Sequence, residues 1–135
     1  MTTNLNMKKP LDQLRVLVVD DNEQARNLLI MVFERIGVKK IFAANDGLEA
    51  QHYLASMSGS VDLIVCDWHM PMMSGLDLLR QIRWGYPDMP FIMLTANSDL
   101  TNARAAKDNG ATDFIAKPVK AEVVEQRVRK LFEQP

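Results

Sequence analysis

The sequence holds one cysteine, Cys66. A lone thiol excludes an internal disulfide, and its place inside an apolar run makes it a core residue. A chain without disulfides suits a reducing, cytoplasmic compartment. An excess of charge of either sign is also missing: 16 Lys and Arg stand against 17 Asp and Glu, a formal net charge of −1. That balance leaves out the broad basic footprint of a direct nucleic-acid binder. No apolar run reaches the roughly 20 residues of a membrane-spanning helix, so no membrane insertion is expected. Met1–Pro10 lacks the apolar stretch of a secretory signal. There are no repeats or low-complexity tracts. What is present is 135 residues that are 47% hydrophobic, enough for one domain with a real core.

Residues 1–13 read as a flexible N-terminal tail and residues 14–133 as the domain. Within it, strand and helix patterns alternate. Leu14–Val19 is the first strand. Asp21–Ile36 is a helix, with Ala25, Leu28, Leu29, Val32, Phe33 and Ile36 at i, i+3, i+4, i+7 spacing. Asp21 and Gln24 are expected to form its capping box and Gly37 to end it. A strand over Val38–Ala44 leads to a helix with Ala50, Tyr53, Leu54 and Met57 on one face. Val61–Cys66 is apolar apart from Asp62, the pattern of a parallel strand covered on both sides. After the loop Asp67–Met73, Ser74 and Asp77 open a helix to about Trp84. Phe91–Leu94, a helix over Asp99–Asn109, Asp113–Ala116 and a helix over Lys120–Phe132 complete the chain. Five β-α units predict a parallel sheet with helices on both faces.

Four of the strands end in a chemically committed residue: Asp20 and Asp21, Asp67, Thr95, and Lys117. In a parallel α/β sheet the strand C-termini share one edge, where ligands bind. Acids, a hydroxyl and an ammonium distant in sequence therefore meet, and together they have the makings of a Mg²⁺-dependent phosphoryl-transfer centre. Other polar residues have plainer readings. Asp77 is a helix cap, Asp12 and Asp62 are surface residues, and His52 is solvated. Met70, Met72 and Met73 serve loop and core packing.

The segments Val-Val-Asp20-Asp21-Asn, Asp67-Trp-His-Met-Pro71, Thr95-Ala96 and Lys117-Pro118 resemble the receiver domain of bacterial two-component response regulators, of the chemotaxis-regulator type. The likeness covers nearly the whole chain, about residues 14–133. It implies a flavodoxin-like (βα)5 fold, a doubly wound five-stranded parallel sheet of order 2-1-3-4-5. It also implies that Asp67 is the phosphoacceptor, taking its phosphoryl group from a sensor histidine kinase or phosphotransfer protein. Asp21, Asp67 and the backbone carbonyl of His69 would ligate Mg²⁺ directly, with Asp20 acting mainly through metal-bound water. Lys117 would pair with Asp67 and then with the phosphoryl oxygens. Thr95 would hydrogen-bond the transferred group, beside the small Ala96.

The resemblance further implies an output surface on the fourth helix, fifth strand and fifth helix, including Arg104, Lys107, Phe114 and Lys120. An output protein or effector domain would read this surface, and the chain would be a monomer or weak dimer. Such a domain is not an enzyme with a separate substrate, since it catalyses only its own phosphoryl transfer and autodephosphorylation. Two positions depart from the common pattern. Phe114 stands where many receivers carry a switching tyrosine, and His69 where smaller or amide side chains are frequent. Two other readings are a Mg²⁺-dependent aspartyl-phosphate phosphatase and an unphosphorylated pseudo-receiver that serves as a docking module. The first expects turnover of small phosphate esters. The second expects lost acids or a lost lysine, and here they are all retained.

Overall fold

The computed structural model describes residues 9–58, 60–96 and 100–132. Five strands, β1 (Arg15–Val19), β2 (Lys40–Ala44), β3 (Leu63–Asp67), β4 (Phe91–Thr95) and β5 (Asp113–Ala116), form one sheet of order β2-β1-β3-β4-β5. Every pairing is parallel. Five α-helices alternate with the strands: α1 (Glu23–Arg35), α2 (Gly47–Ser56), α3 (Gly75–Gly85), α4 (Leu100–Asp108) and α5 (Ala121–Phe132). The strand order explains the differences in burial. The inner strands β3 and β4 are buried throughout, whereas the edge strands β2 and β5 are only partly covered.

Alternate residues of the inner strands feed two cores. On one face, Val16, Val18, Leu63, Val65, Ile92 and Leu94 pack with Leu29, Val32 and Phe33 of α1 and Val124, Val128 and Phe132 of α5. On the other face, Leu17, Val19, Ile64, Cys66, Phe91 and Met93 pack with Leu54 of α2, Leu78, Leu79 and Ile82 of α3, and Ala106 of α4. Side chains on an extended strand point alternately to opposite faces, so both layers are filled from the same five-residue runs.

Several local expectations need correction. The N-cap of α1 is Asn22, whose side chain accepts from the Ala25 N–H at 2.9 Å, so the Asp21–Gln24 capping box is not formed. Helix α1 ends on Gly37, at φ +109°, with Gly37 N–H donating to Glu34 O and Val38 N–H to Phe33 O. Those two bonds make a Schellman motif. They also engage Val38, so the second strand begins at Lys40 instead. Leu28 is 53% exposed despite its helical spacing, because it lies at the edge of the buried stripe. Met72 is 93% exposed and lies outside the core, unlike Met70 and Met73.

The N-terminal side also differs from a tail. Lys9–Gln13 lies against the domain: Lys9 N–H donates to Phe132 O at 3.0 Å, and Leu11 is buried in a 3₁₀ turn over Leu11–Gln13. Asp62 anchors this segment and is not a free surface acid. It accepts from the Arg15 N–H at 2.8 Å and pairs with Lys9 Nζ at 3.1 Å. Residues 1–8 lie outside the described residues.

Candidate functional site

Parallel register delivers the polar residues to one edge. Val19 pairs with Cys66, so one further step sets Asp20 beside Asp67. Asp67 itself pairs with Leu94, and Thr95 with Ala116, the residue before Lys117. Lys117 N–H donates to Thr95 O at 2.7 Å, which holds the start of the β5–α5 connection against the end of β4.

Carboxylate oxygens of Asp20, Asp21 and Asp67 lie within 4.8 Å of one another. Asp20 and Asp67 are buried and Asp21 is exposed. The ammonium of Lys117 sits 2.9 Å from Asp67 Oδ1 and 3.8 Å from Asp20 Oδ2. Thr95 is fully buried at the end of β4, while Ala96 beyond it is exposed. His69 is exposed in the loop after β3, whose ends are drawn together by the Gly75 N–H donating to Trp68 O at 2.8 Å.

Two residues that position Asp20 were not singled out from sequence. The Asn22 N–H donates to Asp20 Oδ1 at 3.0 Å, and Arg26 Nη1 donates to the Asp20 carbonyl at 3.0 Å. An Asn just after the acids is a recognisable cap signal. The Arg26 contact has no such sequence signature, since it looks like any residue on a polar helix face.

Electrostatically the site is unbalanced. Burial pushes the Asp20 carboxyl above its ordinary range; the Asn22 N–H and Lys117 oppose this, while Asp67 and Asp21 reinforce it. The Cys66 thiol is pushed well above its ordinary value by complete burial, with Asp67 and Asp20 adding to the effect. Among the described residues, three carboxylates face the Lys117 ammonium, and Asp20 Oδ2 is buried with no hydrogen-bond partner. A hard dication suits this donor set: the ligands are oxygens, the charge left over is negative, and one buried oxygen lacks a donor. Asp20, Asp21 and Asp67 are thus the residues that could hold such an ion.

On the neighbouring surface, Arg104, Lys107 and Phe114 line one depression of about 560 Å³, together with Asp113 and Arg127. Phe114 is half-buried against the core face that carries α2, α3 and α4. Arg127 Nη1 donates to Asp113 Oδ1 at 2.7 Å and to the Phe114 carbonyl at 3.1 Å, tying α5 to β5. Lys120 is exposed just ahead of α5 and outside that lining.

Residues 16–129 match the response regulator receiver domain family. The chain is similar to the chemotaxis protein CheY of Pseudomonas aeruginosa, 32% identical over 123 residues that cover 90% of this chain and 98% of that protein. Among solved structures it is similar to a CheX–CheY–BeF3–Mg²⁺ complex from Borrelia burgdorferi, with TM-score 0.83, 30% identity and 90% of each chain covered. A response regulator receiver domain protein from Clostridium thermocellum gives TM-score 0.82 and 29% identity, covering 88% of this chain and 94% of that one.

Proposed function

This chain belongs to the response regulator receiver domain family, as a CheY-like receiver of a two-component system, and on that premise we propose that Asp67 is its phosphoacceptor. The observation that carries the proposal is the meeting of Asp67 with Lys117 at 2.9 Å inside a three-carboxylate cluster. The donor is a phosphohistidine on a sensor histidine kinase or phosphotransfer protein. An oxygen of the Asp67 carboxylate attacks phosphorus, the N–P bond breaks, and imidazole leaves with the electron pair and takes up a proton. An ionised carboxylate needs no general base for this step. The product is an acyl phosphate, which water later hydrolyses.

Asp21, Asp67 and the backbone carbonyl of His69 would hold Mg²⁺, with Asp20 in its outer sphere. When bound, the ion supplies positive charge that offsets repulsion between the carboxylate and the incoming phosphoryl group. Lys117 stabilises charge from the other side, first on the carboxylate and then on the phosphoryl oxygens. Thr95, at the end of β4, donates its hydroxyl to the transferred group, and Ala96 leaves room beside it. The His69 side chain modulates loss of the phosphoryl group without being needed for its gain.

The signal is read on α4, β5 and α5, where Arg104, Lys107, Phe114 and Lys120 meet an output protein or effector domain. Phe114 has no hydroxyl, so it signals by changing its packing alone. The domain works in the cytoplasm as a monomer or weak dimer, and it acts on no substrate beyond its own phosphorylation and dephosphorylation. The similar Borrelia structure, a CheY complex with BeF3 and Mg²⁺, supports this chemistry by likeness. Single-turnover kinetics test the proposal. With a phosphorylated histidine donor and Mg²⁺, one phosphoryl group per chain should transfer and then decay. Sustained turnover of small phosphate esters would point to a phosphatase instead.

A further inference from the structure

Gly75 opens α3 and is buried. A Cβ at this position would lie 2.3 Å from the Asp67 carbonyl oxygen, 2.9 Å from Met93 Sδ and 3.0 Å from Trp68 Cα. Real Cβ atoms essentially never come within 3.0 Å of such neighbours, and the contact with Trp68 Cα is itself tighter than nearly all real ones. The thioether is the end of a flexible side chain and could turn aside. The other two atoms are backbone at the end of β3, on and next to the proposed phosphoacceptor. Unlike Gly37 and Gly110, Gly75 is not in the left-handed region, so space and not backbone conformation excludes a side chain here.

Hydrogen bonds show what the close approach holds. The Trp68 N–H donates to Leu94 O at 2.8 Å, and the Gly75 N–H donates to Trp68 O at 2.8 Å. The backbone of Trp68, the residue after Asp67, is therefore clamped between β4 on one side and the start of α3 on the other. The segment between those ends carries His69. The start of α3 is itself fixed by the Ser74–Asp77 capping box.

We propose that Gly75 is a positioning residue for phosphoryl transfer: its missing side chain lets α3 seat on the Asp67 carbonyl, which holds the carboxylate against Lys117 and fixes the loop bearing His69. The proposal rests on the reading of Asp67 as phosphoacceptor. A side chain here moves the end of β3 relative to Lys117 and Thr95, and reacting groups tolerate little displacement.

Gly85, the last residue of the same helix, is the control, because a Cβ there meets nothing within 4 Å. Wild type, Gly75→Ala and Gly85→Ala are compared for melting temperature, for the initial rate of phosphorylation by acetyl phosphate, and for Mg²⁺ half-saturation followed by tryptophan fluorescence. Gly85→Ala should match wild type in rate and half-saturation. Gly75→Ala should fold, phosphorylate roughly 10- to 100-fold more slowly well below its melting temperature, and need several-fold more Mg²⁺. A lower melting temperature with an unchanged rate and Mg²⁺ requirement would overturn the proposal, because it would show a purely structural role.

Gly75→Ala/Met93→Ala, read against Met93→Ala, removes the thioether contact and keeps the two backbone contacts. It should stay slow, and it serves as the test if the single variant does not fold. A rate restored to that of Met93→Ala would assign the crowding to the side chain and overturn the proposal. If wild type itself takes up no phosphoryl group, the phosphoacceptor reading fails. If wild type and Gly75→Ala are phosphorylated alike, only the role of Gly75 fails.

Discussion

Lys117 lies closer to Asp67 than to Asp20: its ammonium is 2.9 Å from Asp67 Oδ1 but 3.8 Å from Asp20 Oδ2. This ammonium thus pairs mainly with Asp67 and leaves the more deeply buried Asp20 carboxylate poorly compensated. The two buried acids therefore differ in their partners: Asp67 is oriented by the ammonium, while Asp20 keeps an unpartnered oxygen at the site.

Asp20 should therefore cost the metal-free protein stability. Its carboxyl is raised above the ordinary range, first by burial. The folded state then binds the proton more tightly than the unfolded chain does. Stability of the metal-free form falls as pH rises from the ordinary carboxylate range through the raised one, and above that window the penalty is complete. Asp20→Asn should melt higher than wild type at neutral pH without Mg²⁺, and the gap should close in acid. Millimolar Mg²⁺ should raise the melting temperature of wild type much more than that of the variant. A metal-free Asp20→Asn that melts below wild type at neutral pH would contradict this electrostatic account.

The start of α1 gives a test confined to the fold. Asn22 caps the helix through the Ala25 N–H, and its own N–H holds Asp20. Asn22→Ala should cost about 1 kcal/mol in urea unfolding, the usual loss for a removed cap. Asp21→Ala removes no cap and relieves repulsion, so it should not destabilise the metal-free protein. Equal losses in the two variants would restore Asp21 as the cap.

Signal transmission should depend on Thr95 and Phe114. Thr95 ends β4, next to β5, which carries Phe114. Phe114 is half-buried, so further burial is worth less than the roughly 1.5–3 kcal/mol of a complete transfer from water. That is still enough to bias a two-state equilibrium. With beryllofluoride and Mg²⁺, NMR shifts should spread from Asp67 through Thr95 to Phe114 and the Lys107–Lys120 surface. In Thr95→Ala they should stay within the acidic pocket. Distant shifts that survive in Thr95→Ala would refute this route and leave Asp67 as acceptor untouched.

Much of the fold is legible because parallel strands buried on both faces read as unbroken apolar runs. Val16–Val19, Ile64–Cys66 and Phe91–Leu94 are all buried in the sheet. Their C-terminal ends share one edge by topology, so the sequence pattern alone groups Asp20, Asp67, Thr95 and Lys117. Other features depend on distance and not on pattern. Asp62 looks like an exposed acid until Lys9 and the Arg15 N–H are found beside it. Leu11 looks like part of a tail because its neighbours are polar, yet one apolar side chain in a 3₁₀ turn finds the core. The pattern points to Asp21 as the cap, and only the hydrogen bond from the Ala25 N–H reveals Asn22 in that place. Gly75 sits unremarked between Ser74 and Leu76, since close approach to a carbonyl leaves no trace in composition.

Intact-mass measurement decides whether Asp67 accepts the phosphoryl group. Wild type and Asp67→Asn are incubated with acetyl phosphate and Mg²⁺, then treated with hydroxylamine. Wild type should gain the mass of one phosphoryl group and lose it to hydroxylamine, as an acyl phosphate does, while Asp67→Asn gains none. The same hydroxylamine-labile adduct on Asp67→Asn would contradict the account.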